Sequence, residues 1–501
     1  MVNLRIILVL TAGAAFLRAG QPSNSRIDEI LTERWKQTGI QPASLCTDSV
    51  FLRRAYIDVI GTLPTAQEAA AFLADKNPGK RSALIDRLLE RDEFADYWAM
   101  KWSDLLRVKA EFPINLWPNA SQAYYHWIRD SIAKNMPYDR FVRELLTESG
   151  SNFRVPPANF YRAMQSHEPQ AIAQTVALTF MGTRQKQEWM VPFFSRVGYK
   201  ETGEWKEQIV FFDASKGPVT GASFPDGKPG RIAAGQDPRE VFADWLVMPS
   251  NPWFARAIVN RIWFWLLGRG IIHEADDIRP DNPPVSPELL AYLEKELVSA
   301  KFDLKHVFRL ILNSRTYQLS AVPQGDRAAG AKLFAYYPLR RLDGEVLVDA
   351  LCQITGVSET YTSSIPEPNT FMPDNQRAVG LPDGSITSAS LELFGRPPRD
   401  TGMESERNNR FTDAQRLHLL NSTHIQRQIQ QGPKLIAMMR DIKNPQELVN
   451  QLYLTILSRY PTPEEWKLVV AHSQTSSAKG RDAVVDLTWA LINSTEFLFR
   501  H

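Results

Sequence analysis

Two cysteines in 501 residues, Cys46 and Cys352, cannot build a disulfide framework. One bridge is compatible with an oxidising compartment, but about 300 positions separate them and spacing does not decide whether they pair. Two buried thiols acting as small apolar residues are the expectation. Charge of one sign is also scarce: 58 Lys plus Arg against 56 acidic residues leave +2, with no long block of either sign. A general nucleic-acid binder usually carries a basic excess or stripe, so that class is excluded. Beyond the first 20 residues no apolar run approaches 18, so no transmembrane helix is expected in the mature chain. The phosphate-cradling Gly-x-x-x-x-Gly-Lys-Ser/Thr, His-Glu-x-x-His, Gly-x-Ser-x-Gly and Gly-x-Gly-x-x-Gly patterns are all missing.

What is there begins with an export signal. Arg5 supplies a short positive segment, Ile6 to Leu17 an apolar stretch too short to span a bilayer comfortably, and Leu17-Arg18-Ala19 a readable cleavage site. Cleavage near Ala19 or Gly20 places a signal peptide at 1–20 and the mature start at about Gln21, in a periplasmic or secreted protein. No cysteine lies there to anchor a lipid.

The remainder has ordinary globular composition, 44% apolar and 23% charged, and a length that implies more than one core. Asp48 reads as a helix cap, and Thr65-Ala66-Gln67-Glu68 as a capping box. Apolar spacing predicts helices at 80–107, 119–134, 138–148 and His167 to Gly182. From Trp189 to Gln236 the chain turns rich in Gly, Pro and Lys around one strand-like run, Ile209 to Phe212. Helices resume at 238–247, 252–266, 303–315 and 343–354, with another opened by Ser286-Pro287-Glu288. Residues 356–410 form a Pro-, Gly- and Ser-rich stretch of the length usually functional or disordered. Helices at 412–431, 445–459, 462–474 and 480–498 follow. The predicted fold class is mainly α and multi-helical: an N-terminal helical domain at 21–188, a loop-rich junction with minor β at 189–236, and a C-terminal helical domain at 237–501.

Several segments together resemble a bacterial pair, the planctomycete cytochrome-associated domain of unknown function (PSCyt type) followed by a PSD-type domain. The first is carried by Phe51-Leu52-Arg53-Arg54-Ala55-Tyr56-Ile57-Asp58 with Gly61-Thr62-Leu63-Pro64-Thr65. The second is carried by Asn251-Pro252-Trp253-Phe254-Ala255-Arg256 through Val259-Asn260-Arg261-Ile262-Trp263 to Gly268-Arg269-Gly270. Phe394-Gly395-Arg396-Pro397-Pro398-Arg399 and His418-Leu419-Leu420-Asn421 belong to it as well. The resemblance implies an exported protein with roles in extracellular polymer or carbohydrate use, and no activity to transfer. It also implies two cysteine motifs that this chain lacks. Where many relatives have Cys-x-x-Cys-His, a haem or metal pattern, the chain reads Thr183-Arg184-Gln185-Lys186-Gln187-Glu188-Trp189. Where they have Cys-x-Cys-Glu-Arg, it reads Met403-Glu404-Ser405-Glu406-Arg407. No cofactor and no metal site are therefore expected.

Two polar clusters remain. Asn260 and Arg261 with Asp276 and Asp277 read either as an acid–base or substrate pocket, the two aspartates being the catalytic candidates, or as an ion-pair network locking two helices; the second is the expectation. Arg340, Arg341, Arg396, Arg399, Asp400, Glu406 and Arg407 read either as a binding site for carboxylate, sulfate or phosphate, or as loop arginines tied to local carboxylates. His418 and His424 are six apart, on different sides of one helix. The tryptophans Trp98, Trp102, Trp263 and Trp265 sit at helical spacing and read as core. Three functions follow: an accessory exported protein that binds an extracellular glycan or an exported protein partner through its loop-rich face; a polysaccharide hydrolase using Asp276 or Asp277; and a redox protein, which the missing cysteines argue against.

Overall fold

The computed structural model describes residues 25–475 and 480–501. The predicted signal peptide and the mature start at Gln21 lie outside the described residues. The fold is mainly helical with small sheets of two or three strands, two helical regions flanking a loop-rich stretch. No helix of the described residues is long and apolar enough to cross a membrane.

In the first region the Thr65–Glu68 capping box opens the helix Ala66–Ala74. The cap of the helix Asp48–Ile60 is Thr47, not Asp48, whose carboxylate instead holds Lys80 and Arg81. The stretch predicted as one helix at 80–107 is two, Lys80–Leu89 and Asp92–Leu105, with Arg91 extended between them. The helix Pro169–Met181 ends at Gly182, whose φ of 64° a side chain would resist. The predicted strand is real. Gln208–Phe212 (β3) lies between Gly150–Ser151 (β1) and Val197–Glu201 (β2), antiparallel to both, with Tyr199 opposite Val210.

In the second region the helix Phe254–Leu267 is buried nearly all round, as its composition predicts. It packs against Pro287–Ser299, Leu304–Asn313 and, from the first region, Pro169–Met181. Ser286 precedes the proline start as expected but makes no side-chain cap bond. The predicted helix at 412–431 is broken into Asp413–Asn421 and Thr423–Gln431. Ser422 takes extended backbone angles there and accepts from the amides of His424 and Ile425. The helix predicted at 480–498 stops at Ile492 and restarts as Thr495–Leu498, capped by Ser494.

One apolar core runs through both regions. Trp98, Trp102, Trp263 and Trp265 are all in it, and the rings of Trp98 and Trp265 meet across the boundary at 5.1 Å. Polar ties reinforce the joint: the Trp35 indole donates to the Leu333 carbonyl at 2.8 Å, and Asp28 accepts the amides of Arg315 and Thr316. Residues 356–410 are folded rather than trailing. They have a small core of their own in which Tyr361, Ala378, Leu381, Ile386 and Leu391 pack on Val348.

Candidate functional site

The predicted site residues are all buried or half-buried, and most are held in ion pairs or on backbone carbonyls. Asn260 is fully buried and clamps the turn after its helix: its amide donates to the Ile272 carbonyl at 3.0 Å, and its carbonyl oxygen accepts the Ile272 amide at 2.9 Å. Gly270 is needed there, because a Cβ would run into the Ile272 carbonyl and crowd Asn260. Arg261 donates to the carbonyls of Thr179 (2.7 Å) and Leu178 (3.4 Å) at the end of the helix Pro169–Met181, and its Nε lies 3.1 Å from Glu404. Its carboxylate is thus Glu404 of the long segment, which also accepts from the Trp265 indole. Burial pushes the Glu404 carboxyl up, and Arg261 opposes that shift. Asp276 is buried, accepting from Arg184 and from the Glu404 amide. Asp277, half-buried, pairs outward with Arg279 at 3.1 Å. The two aspartates therefore serve different partners.

Around Asp276 the segments 183–189 and 403–407 meet through Arg184 and Glu404. These are the two stretches where the resemblance places cysteine motifs. In this chain their junction is an ion network.

The arginines of the second cluster also point inward. Arg340 donates to the carbonyls of Trp265 and Leu266, closing the helix Phe254–Leu267. Arg341 donates to the carbonyls of Phe394 and Asn408, and Arg396 to those of Ile386 and Asp383. Arg399 lies on Asp104 at 3.0 Å. Asp400 pairs with Lys109 at 2.6 Å, and Glu406 accepts the amides of Asp400 and Thr401. Arg407 sits between Asp104 at 2.6 Å and Glu345 at 2.7 Å, with Asp343 at 3.7 Å. Burial alone would raise the acids. At Asp343 it is outweighed by Lys101, Arg500 and Arg407, which hold the carboxyl well below the usual range, and at Glu345 by Arg407 and Arg396, which bring it to about 2. These charges fasten the long segment to the helix Asp92–Leu105 and to the start of Gly344–Thr355.

The opening that sequence reasoning missed lies where the long segment meets the broken helix pair. It is a cleft of about 490 Å³ lined by Glu359, Ser388, His418, His424, Arg427 and Gln428, within the size range of small-molecule sites. The break at Ser422 brings the His418 and His424 rings to 6.1 Å, where an unbroken helix would part them. Glu359, nearly buried, lies 3.4 Å from His424 Nε2. Burial raises the Glu359 carboxyl, but His424, Ser388 and Ser390 together draw it below its ordinary value; the same contact raises the His424 imidazole. Burial and then the neighbouring His424 lower the His418 imidazole, whose Nε2 has no partner. Gln428 is 4% exposed; its amide reaches His424 at 3.3 Å and its Oε1 is unpartnered. A triad of cap residues, Asn421-Ser422-Thr423, was the available signal for the break. Among the described residues no group of three His, Cys, Asp or Glu is arranged to hold a metal ion. A second hollow, between Trp98, Trp102, Tyr138 and Trp265, measures about 40 Å³ and is walled mostly by hydrocarbon. It offers little to a polar ligand.

Two family models match the chain. PSCyt2, a protein of unknown function (DUF1549), covers residues 26–191 and PSD1, a protein of unknown function (DUF1553), covers 238–473. The β2–β3 hairpin lies in the interval between them. No curated protein and no solved structure matches.

Proposed function

The chain belongs to the proteins that join a PSCyt2 domain to a PSD1 domain, and we propose that it works as an exported accessory protein, periplasmic or secreted, which binds an extracellular polymer or a protein partner through its loop-rich face. The observation that carries this reading is the cleft between residues 357–360, 388–390 and 418–431, where two polar ends, Gln428 Oε1 and His418 Nε2, are buried without partners. Buried polar atoms are nearly always satisfied, and an unsatisfied pair at the wall of a roomy cleft is what a ligand would complete. Hydrolysis through Asp276 and Asp277 has less support. One is sealed under Arg184 and the other is paired with Arg279.

The test is thermal unfolding of the full chain against neutral, acidic and sulfated glycans. A ligand that binds only the folded state, at a hundred times its dissociation constant, adds about 2.7 kcal/mol. An upward shift with one class supports the reading. No shift with any glycan, together with no protein captured from an exported fraction, overturns it.

A further inference from the structure

Resting on the reading that this cleft is the binding site, we propose that its ligand is a hydroxyl-rich monoanion, a carboxylate- or sulfate-bearing sugar unit, with Arg427 pairing the anion and Gln428 and His418 bonding hydroxyls. The charge follows from which groups are already engaged. Glu359, the carboxylate lining the cleft, is held by His424 and by the hydroxyls of Ser388 and Ser390, so its oxygens are already engaged. Arg427 is exposed at the rim and has no partner among the described residues. Arg340, Arg396, Arg399 and Arg407, by contrast, all end on carbonyls or carboxylates. A guanidinium left free beside a cleft offers a planar fork that matches a carboxylate or sulfate bidentately.

The hydroxyls follow from the rest of the lining. Gln428 is held by His424 at one end of its amide, leaving the other end for a ligand. An amide end both donates and accepts according to its orientation, as does the partnerless nitrogen of a neutral imidazole, so each suits a hydroxyl. Ser358 and Thr360 add hydroxyls, and no aromatic ring other than the two imidazoles lines the cleft. Recognition would thus run through hydrogen bonds and one charge rather than stacking. The same chemistry is offered by a free sugar acid or by one unit of an acidic polymer.

Calorimetric titration of the full chain with galacturonate, its linear trimer, galactose and inorganic sulfate tests this. Galacturonate is expected to bind at least about tenfold more tightly than galactose, the size of one charge-assisted hydrogen bond. Arg427→Gln, at an exposed position, is expected to fold normally and to erase that difference. Gln428→Leu is expected to weaken acid and neutral sugar alike. A trimer tighter than the monomer assigns the polymer source; equal affinity assigns the free acid. Equal binding of galactose and galacturonate, or an acid preference that survives in Arg427→Gln, overturns the anion assignment while leaving a ligand cleft standing. Absence of binding by all four probes, in a protein that other glycans do stabilise, overturns the assignment without touching the broader reading.

Discussion

Arg500 reaches Asp58 across 442 positions of sequence, Nη1 to Oδ1 at 2.9 Å, with both side chains buried. The same guanidinium bonds Asp343 at 2.6 Å, while Tyr317 and Tyr337 donate their hydroxyls to Asp58. One arginine thereby ties the first helical region to the helix Gly344–Thr355. Replacing it by methionine leaves two buried carboxylates short of a counter-charge, and the expected loss is about 3–5 kcal/mol in urea unfolding. A loss below about 1 kcal/mol, the scale of an exposed pair, would show that Lys101 and Arg340 suffice.

Asp349 gives a pH dependence of unusual sign. Burial raises its carboxyl to about 6 although Arg377 and the amides of Ala378 and Val379 favour the charged form. The folded protein therefore binds this proton more readily than the unfolded chain. Its contribution is fully present below the unfolded value near 4 and is lost as pH rises through about 6. At most it amounts to about 3 kcal/mol for a two-unit difference. Asp349→Asn is expected to remove this downward slope between pH 4 and 6. A slope unchanged in the variant would assign it to other groups.

The two candidate aspartates are expected to separate on substitution. Asp276→Asn removes the buried acceptor of Arg184, at an expected cost of about 1.5–3 kcal/mol. Asp277→Asn breaks a pair at the surface, with an expected cost below about 1 kcal/mol. Denaturation midpoints of the two variants decide it. A catalytic loss in Asp277→Asn with an unchanged midpoint would restore the hydrolase reading.

Cys46 and Cys352 are both free, the first buried and the second half-buried. Burial pushes the Cys352 thiol up to about 12, leaving about one molecule in ten thousand as thiolate at pH 8. Both are expected to resist a disulfide reagent in the folded state and to react, two per chain, on denaturation. Fast reaction of the native protein at Cys352 would contradict this.

Local signals were legible, because caps and apolar periods act within a few residues. Thr65 with Glu68, the strand at Ile209 to Phe212 and the buried Trp263 all behave as their neighbours dictate. The breaks at Arg91 and Ser422 were not, since apolar spacing continues across each and tertiary packing decides the turn. The fates of the arginines were legible only by type. That Arg261 would need a carboxylate follows from burial, but that Glu404 supplies it depends on a segment 143 positions away. The cleft was hidden for the same reason, being assembled from three separate stretches.

The contact between Arg500 and Asp58 also sets a schedule. On a ribosome adding 5–20 residues per second, Asp58 emerges roughly 20–90 s before the arginine that neutralises it. Until Arg340 and then Arg500 have followed, the first half of the chain carries an uncompensated acid in what will become its interior. The two family regions are therefore expected to fold together. A clone ending at residue 236 would be expected to yield inclusion bodies, whereas full-length expression supplies the missing counter-charge.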